Sequence, residues 1–386
     1  MSRKLAAIAA ALGLAFALPA TGIADAAPTA SAAAPGDLVT TSSTDFRTLN
    51  PQLSKAWHIE YGSTSGTDKP NTVSGTVIVP RDGRTGTRPL ITYAVGTVGI
   101  DDSCAPSAGF PYGTTLEGNL IAQAIQRGYA VAVTDYEGLG TPGDHTYTVG
   151  RAAGTAMLDA ARAAQKVPGA RAAGVNENSP VGIMGYSQGG QAASWAAQLH
   201  KAYAPELKVK GTATGGVPAD LMKAAEFNDG GLGSGLILMA AVGQNAAFPE
   251  LKLDSYLNDR GRSLVGTIKK NCVAVNAVAG AFTKITDVTT KNPLEQPDWQ
   301  ARLAESKLGG TAPDAPVYLY HAQNDELIPR ALGEGLRADW CAKGAPVSYK
   351  TIPVLEHVSG VIAETPSALS WLGDRFAGKP AAGNCG

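Results

Sequence analysis

The stretch 181–190, Val-Gly-Ile-Met-Gly-Tyr-Ser-Gln-Gly-Gly, constrains the fold more than any other part of the chain. An apolar run ends in G-x-S-x-G around Ser187, and an alanine-rich helical pattern begins at once over 188–203. Strand, sharp turn and helix in that order is the setting in which a serine hydroxyl is lifted above the end of a buried strand. Gly185 and Gly189 let the backbone turn tightly and leave no Cβ to strike the neighbouring strand and helix. The helix start beneath the serine offers unpaired N–H groups and a partial positive charge, which suit an oxyanion. The pentapeptide alone is weak in a chain with 46 glycines, where a fortuitous turn is the bland alternative; its context gives it weight.

Continuously apolar runs of strand length recur at 73–79, 90–95, 130–133, 181–185, 317–321 and 347–354. Unbroken apolar character fits strands buried on both faces. Helical patterns alternate with them at 116–127, 152–166, 188–203 and 361–376. Such alternation predicts an α/β protein with a mostly parallel sheet covered by helices on both faces, made mixed by a hairpin within 48–79. After the run 209–217 the rhythm breaks until the strand at 317. A structureless loop of that length is unexpected in a compact domain. Residues 219–311 are therefore read as an inserted helical cap, and 41–218 with 312–386 as the core.

Met1-Ser2-Arg3-Lys4 is basic, an apolar run follows to about residue 20, and Ala24-Asp25-Ala26 has the form of a cleavage site. Residues 1–26 are expected to be a secretory signal rather than a membrane span, since the apolar core is too short. Residues 27–40 are expected to be a disordered leader. With Lys+Arg 32 against Asp+Glu 33 and a net charge of -1, nucleic-acid binding has no electrostatic basis. The four cysteines of an exported chain imply two disulfides, for which three connectivities exist. The preferred pairing is Cys104–Cys272 and Cys341–Cys385. Metal ligation is the rival, but the C-x-x-C and H-x-x-x-H spacings are missing, so no metal and no organic cofactor are expected.

A serine hydroxyl needs a base, and the base an orienting carboxylate. In α/β-hydrolases these follow in the order Ser, Asp or Glu, His. His357, between the last strand and the last helix, is the expected base; a solvated loop histidine is the alternative. His321 lies in an apolar strand and reads as structural, whereas His58, His145 and His200 come in the wrong order, although His145 could line the site. Asp325, following the strand 317–321, is the expected acid, with Glu326 its rival and a merely decorated turn the alternative. One oxyanion N–H should come from Gln188. The other should come from the glycine-flanked loop 95–99, at Thr97 or else Val98.

Gly185-Tyr186-Ser187-Gln188-Gly189-Gly190, Asp102-Ser103-Cys104-Ala105-Pro106-Ser107 and the Asp325 and His357 loops together resemble the secretory lipase family. The resemblance runs from the strand at 73 to the C-terminus. It implies an α/β-hydrolase fold, a helical cap inserted after 209–217, a disulfide from the Cys104 region into the cap, and hydrolysis of acylglycerols or other carboxylic esters. The chain departs from the fungal pattern at the oxyanion turn, where Gly96-Thr97-Val98-Gly99 replaces an acidic residue. The expected protein is a secreted serine esterase or lipase, a monomer, working through an acyl-enzyme on an ester presented at a lipid–water interface. Leu232, Leu236, Ile237, Leu238, Met239, Phe248 and Leu251 could hold an acyl chain or simply pack the cap's own core. Two alternatives stand. One is an exopeptidase of the same fold, for which Glu226, Asp229, Glu250 and Asp254 are the cap carboxylates at hand. The other is a non-catalytic binding protein on a hydrolase scaffold.

Overall fold

A computed structural model describes residues 33–49 and 53–385. These form a nine-stranded sheet: β1 (Leu38–Thr44), β2 (Ser54–Thr64), β3 (Pro70–Pro80), β4 (Leu90–Ala94), β5 (Ala130–Tyr136), β6 (Pro180–Tyr186), β7 (Lys208–Gly215), β8 (Val317–Ala322) and β9 (Val347–Ile352). The spatial order is β1-β2-β3-β5-β4-β6-β7-β8-β9. From β5 to β9 every neighbouring pair is parallel, while β1, β2 and β3 join as antiparallel partners, with β3 antiparallel to β5. β4, β5 and β8 are buried at every position, as strands covered on both faces must be. The helices Gly150–Ala164 and Gln188–Tyr203 pack together against one face, and Gly118–Gln126 and His357–Phe376 meet on the other. This is the α/β-hydrolase arrangement.

The expected signal segment 1–26 lies outside the described residues, as do 27–32 of the expected leader. The rest of that leader is ordered, which corrects the expectation of disorder to residue 40. Gly36 N–H donates to Gly62 O at 2.8 Å, Gly62 N–H to Asp37 O at 2.9 Å, and Lys166 Nζ reaches Asp37 Oδ1 at 2.6 Å. Leu38–Thr44 then forms β1 along β2. Its Val-Thr-Thr-Ser-Ser-Thr run has no apolar face to bury, so main-chain pairing with the sheet edge holds it. The last helix also begins at His357 rather than 361, because Glu356 caps it by accepting from Val358 N–H and Ser359 N–H at 2.8 Å each.

Between β7 and β8 the chain builds helices Leu221–Asn228, Ser234–Ala247, Asp259–Ile268, Val273–Gly280, Ile285–Val288 and Pro297–Glu305. Met239, Val242, Phe248, Leu251, Ile268 and Trp299 form a core for this insertion, and Ile100, Tyr147 and Val149 of the main domain pack into it. A disulfide, Cys104–Cys272, ties the insertion to the segment after β4, and Cys341–Cys385 ties the C-terminus to the helix Arg330–Ala342.

Candidate active site

All five segments that build the site leave the carboxyl ends of parallel strands β4, β5, β6, β8 and β9, where open α/β sheets place their ligands. At the end of β6, Ser187 adopts φ 59 and ψ -122, a conformation that costs a side-chain-bearing residue about 1–3 kcal/mol. Two main-chain hydrogen bonds impose it: Ser187 N–H to Gly215 O at 3.0 Å and Gln191 N–H to Ser187 O at 2.9 Å. A Cβ on Gly185 would lie 2.1 Å from Gly189 O, and one on Gly189 would lie 2.0 Å from Ala94 O. Only glycine fits at either position.

His357 Nδ1 lies 2.7 Å from Asp325 Oδ2. A carboxylate can only accept, so Nδ1 carries a hydrogen. Burial pushes the Asp325 carboxyl up, but hydrogen bonds from His321 and His357, the charge of His357 and the Ile328 N–H outweigh it and hold the group below its ordinary value. The rival carboxylate holds the same residue by its main chain, since Glu326 Oε2 accepts the His357 N–H at 3.0 Å. His321 touches the same aspartate, its Nε2 3.2 Å from Asp325 Oδ2 and 2.9 Å from Ile328 O. The His357 ring packs against Tyr186, the residue before Ser187, with ring centroids 5.0 Å apart. Ser187 and His357 share no hydrogen bond among the described residues; catalytic pairs commonly close only when substrate binds.

Across from Ser187, the loop after β4 is held by a carboxylate that sequence reasoning missed. Glu117 Oε1 accepts the Gly96 N–H at 2.6 Å, and its second oxygen accepts from Tyr93 OH. Burial raises the Glu117 carboxyl, opposed by these two donors and by His357. A Cβ on Gly96 would sit 3.0 Å from Glu117 Oε1 and 3.7 Å from Ser187 Cβ, so the three groups crowd one small volume. With Gly96 N–H occupied, the N–H groups of Thr97 and Gln188 are donors without an acceptor among the described residues. Val98 N–H is likewise without one, while the Val98 carbonyl accepts from Val273 N–H at 2.7 Å. His145 lies beside the Gln188 side chain. The residues around Glu117, Thr-Thr-Leu-Glu, resemble an ordinary helix approach, and nothing in them points to a partner 21 positions away.

Ser187 and Gln188 also line a cleft between the main domain and the insertion. Leu236, Ile237, Leu238, Leu257, Val288 and Trp299 contribute to its apolar wall. The seven apolar residues noted in the sequence thus divide. Leu236, Ile237 and Leu238 line the cleft, Met239, Phe248 and Leu251 are buried in the insertion's core, and Leu232 is exposed. None of Glu226, Asp229, Glu250 and Asp254 lines it; Glu250 pairs with Arg302 at 2.5 Å and Asp229 accepts Ile285 N–H at 2.7 Å. Among the described residues, no cluster of three or more His, Cys, Asp or Glu side chains could hold a metal ion. Nor, among them, is any helix long and apolar enough to cross a membrane.

A family model for secretory lipases matches residues 109–384. Lipase 10 of Candida albicans is 31% identical, covering 92% of this chain and 80% of the fungal protein. A Mycobacterium tuberculosis protein named a probable inactive lipase is also 31% identical, over 87% of this chain and 76% of its own. Candida antarctica lipase A in its closed state superposes with a TM-score of 0.81 at 24% identity, covering 91% of this chain and 85% of that one, which supports the fold. A rice cell wall degrading esterase from Xanthomonas oryzae matches with a TM-score of 0.74 at 17% identity, over 90% of this chain and all of that one. Membership of a secretory family and two disulfides fit an extracellular protein. The chain belongs to the secretory lipase family and is a carboxylic-ester hydrolase.

Proposed function

We propose that the protein is a secreted, monomeric serine lipase or esterase acting through Ser187, His357 and Asp325 on acylglycerols or other fatty-acyl esters. Ser187 Oγ attacks the ester carbonyl carbon while its proton passes to His357 Nε2. The Thr97 and Gln188 N–H groups receive the oxyanion. When the carbon–oxygen bond to the alcohol breaks, the imidazolium returns that proton to the departing alkoxide. Water, deprotonated by the same imidazole, then attacks the acyl-enzyme, and Ser187 leaves with the proton. Asp325 fixes the tautomer and balances the imidazolium charge.

The observation that carries this reading is the 2.7 Å contact between His357 Nδ1 and Asp325 Oδ2, together with a strained serine that lines an apolar cleft. The cleft is suited to the acyl chain. Leu116, next to Glu117 in the chain, and Val354 and Val358, on either side of His357 in the chain, are exposed apolar side chains suited to a lipid–water interface. Hydrolysis of p-nitrophenyl esters of increasing chain length, against aminoacyl p-nitroanilides, tests the reading. Release from esters that Ser187→Ala abolishes supports it. Release from anilides alone would point to a peptidase instead. A folded protein that neither turns over esters nor labels with a fluorophosphonate would be a binding protein.

A further inference from the structure

The connection from β5 to the helix Gly150–Ala164 carries strained backbone at both ends: Tyr136 has φ 74 and Thr148 has φ 63, neither being glycine. Three side chains of this connection end on the two loops that flank Ser187. Tyr136 OH donates to Val95 O, and Tyr147 OH lies 2.7 Å from Thr97 Oγ1, so both hold the loop after β4. His145 faces the other side, with Nε2 2.9 Å from the side-chain Nε2 of Gln188.

The hydrogens in that last contact follow from its surroundings. His145 Nδ1 lies 3.0 Å from Glu137 O, and a carbonyl can only accept, so Nδ1 carries the hydrogen. The Nε2 lone pair is then free to accept from the Gln188 amide. Burial pushes the imidazole down to about 4, against the opposing Glu137 carbonyl, so the ring stays neutral and able to accept. Its ring lies 5.5 Å from that of Tyr136 and 5.9 Å from that of Tyr147, joining the three into one packed unit. Gln188 Oε1 is buried without a protein partner, which leaves the His145 bond as the hydrogen bond that fixes this side chain.

We propose that His145 is a positioning residue for the oxyanion-binding turn: it holds Gln188 by its side-chain amide, while Tyr136 and Tyr147 of the same connection hold the facing loop at Val95 and Thr97. The inference rests on the reading of the Gln188 and Thr97 N–H groups as oxyanion donors. One connection thereby sets the separation between both donors. Donor placement matters in the transition state more than in the ground state, so loosening it lowers kcat and leaves KM nearly alone.

His145→Phe keeps a ring of similar breadth between the tyrosines and removes the acceptor. The expected result is a kcat lowered about 10-fold or more with KM within about 2-fold, since a displacement near 1 Å costs up to roughly 100-fold. His145→Gln, whose amide oxygen can accept from Gln188, should recover part of the loss. Gln188→Leu keeps the backbone N–H and removes only the held amide, so it should lower kcat like His145→Phe, and the double variant should be no slower than the slower single. Wild-type kcat in either single variant, or multiplying losses in the double, would overturn the proposal. If His145→Phe fails to fold, Gln188→Leu alone decides it. Ester hydrolysis surviving Ser187→Ala would instead sink the underlying reading, whatever happens at His145.

Discussion

The carboxyl edge of the sheet and the insertion between β7 and β8 meet across one cleft but are held in different ways. At the sheet edge the residues proposed to react are fixed by directional contacts: the main chain of strained Ser187 by Gly215 and Gln191, the His357 ring by Asp325 and its main chain by Glu326, and the facing loop by Glu117 and Tyr147. The insertion presents Leu236, Ile237, Leu238 and Leu257 to the same space, side chains that offer surface and shape but no hydrogen bonds. The difference teaches where change is tolerated. An error of 1 Å in a hydrogen-bonded catalytic group costs orders of magnitude in rate, whereas an altered apolar wall trades one acyl chain for another.

The sharpest way to break the comparison is at the sheet edge. Ser187→Ala or His357→Ala should lower kcat about 10⁶-fold with the fold intact by circular dichroism, and Asp325→Asn about 10⁴-fold. Across the cleft, Ala241→Phe should shorten the space for the acyl chain. Long-chain esters should lose about 10-fold or more in kcat/KM while short ones stay within about 2-fold. An equal loss on all chain lengths would show that the insertion shapes the chemistry as well as the chain. Replacing both Cys104 and Cys272 with serine frees the insertion from the segment after β4, across a sequence separation of 168. It should cost about 2–5 kcal/mol, read as a lower Tm.

The smallest effect is in pH. Burial lowers the His145 value from 6.5 to about 4. Between those values the unfolded chain binds a proton that the folded protein excludes, so stability contributed by this group is present above pH 6.5 and lost as pH falls toward 4. The loss amounts to about 3 kcal/mol at most. His145→Phe lacks this titration, so its Tm should fall less than that of the wild type between pH 7 and 4.5. Equal falls would show that His145 is not a buried neutral group.

The two regions also differed in how much the sequence showed of them. The strands before Ser187 and Asp325 were legible because burial on both faces leaves largely apolar runs, and because G-x-S-x-G carries its own geometry. β1 was not: a Thr/Ser edge strand is held by its backbone, which composition does not report. The start of the last helix was displaced because a glutamate, Glu356, serves as its cap. Glu117 and His145 stayed silent as partners of Gly96 and Gln188, since those contacts span 21 and 43 residues and leave no local pattern. His321 read as structural, and its contact with Asp325 emerged only from the fold.

Ser187 is proposed to become acylated, with His357 as its base and Asp325 orienting the imidazole. Mixing the enzyme with a slowly deacylating p-nitrophenyl ester, quenching in acid and mapping the peptides by mass spectrometry tests it most directly. An acyl adduct on Ser187 is expected, forming in step with the nitrophenol burst and failing to form in His357→Ala. An adduct on another residue, or turnover with full activity and Ser187 unmodified, would contradict it.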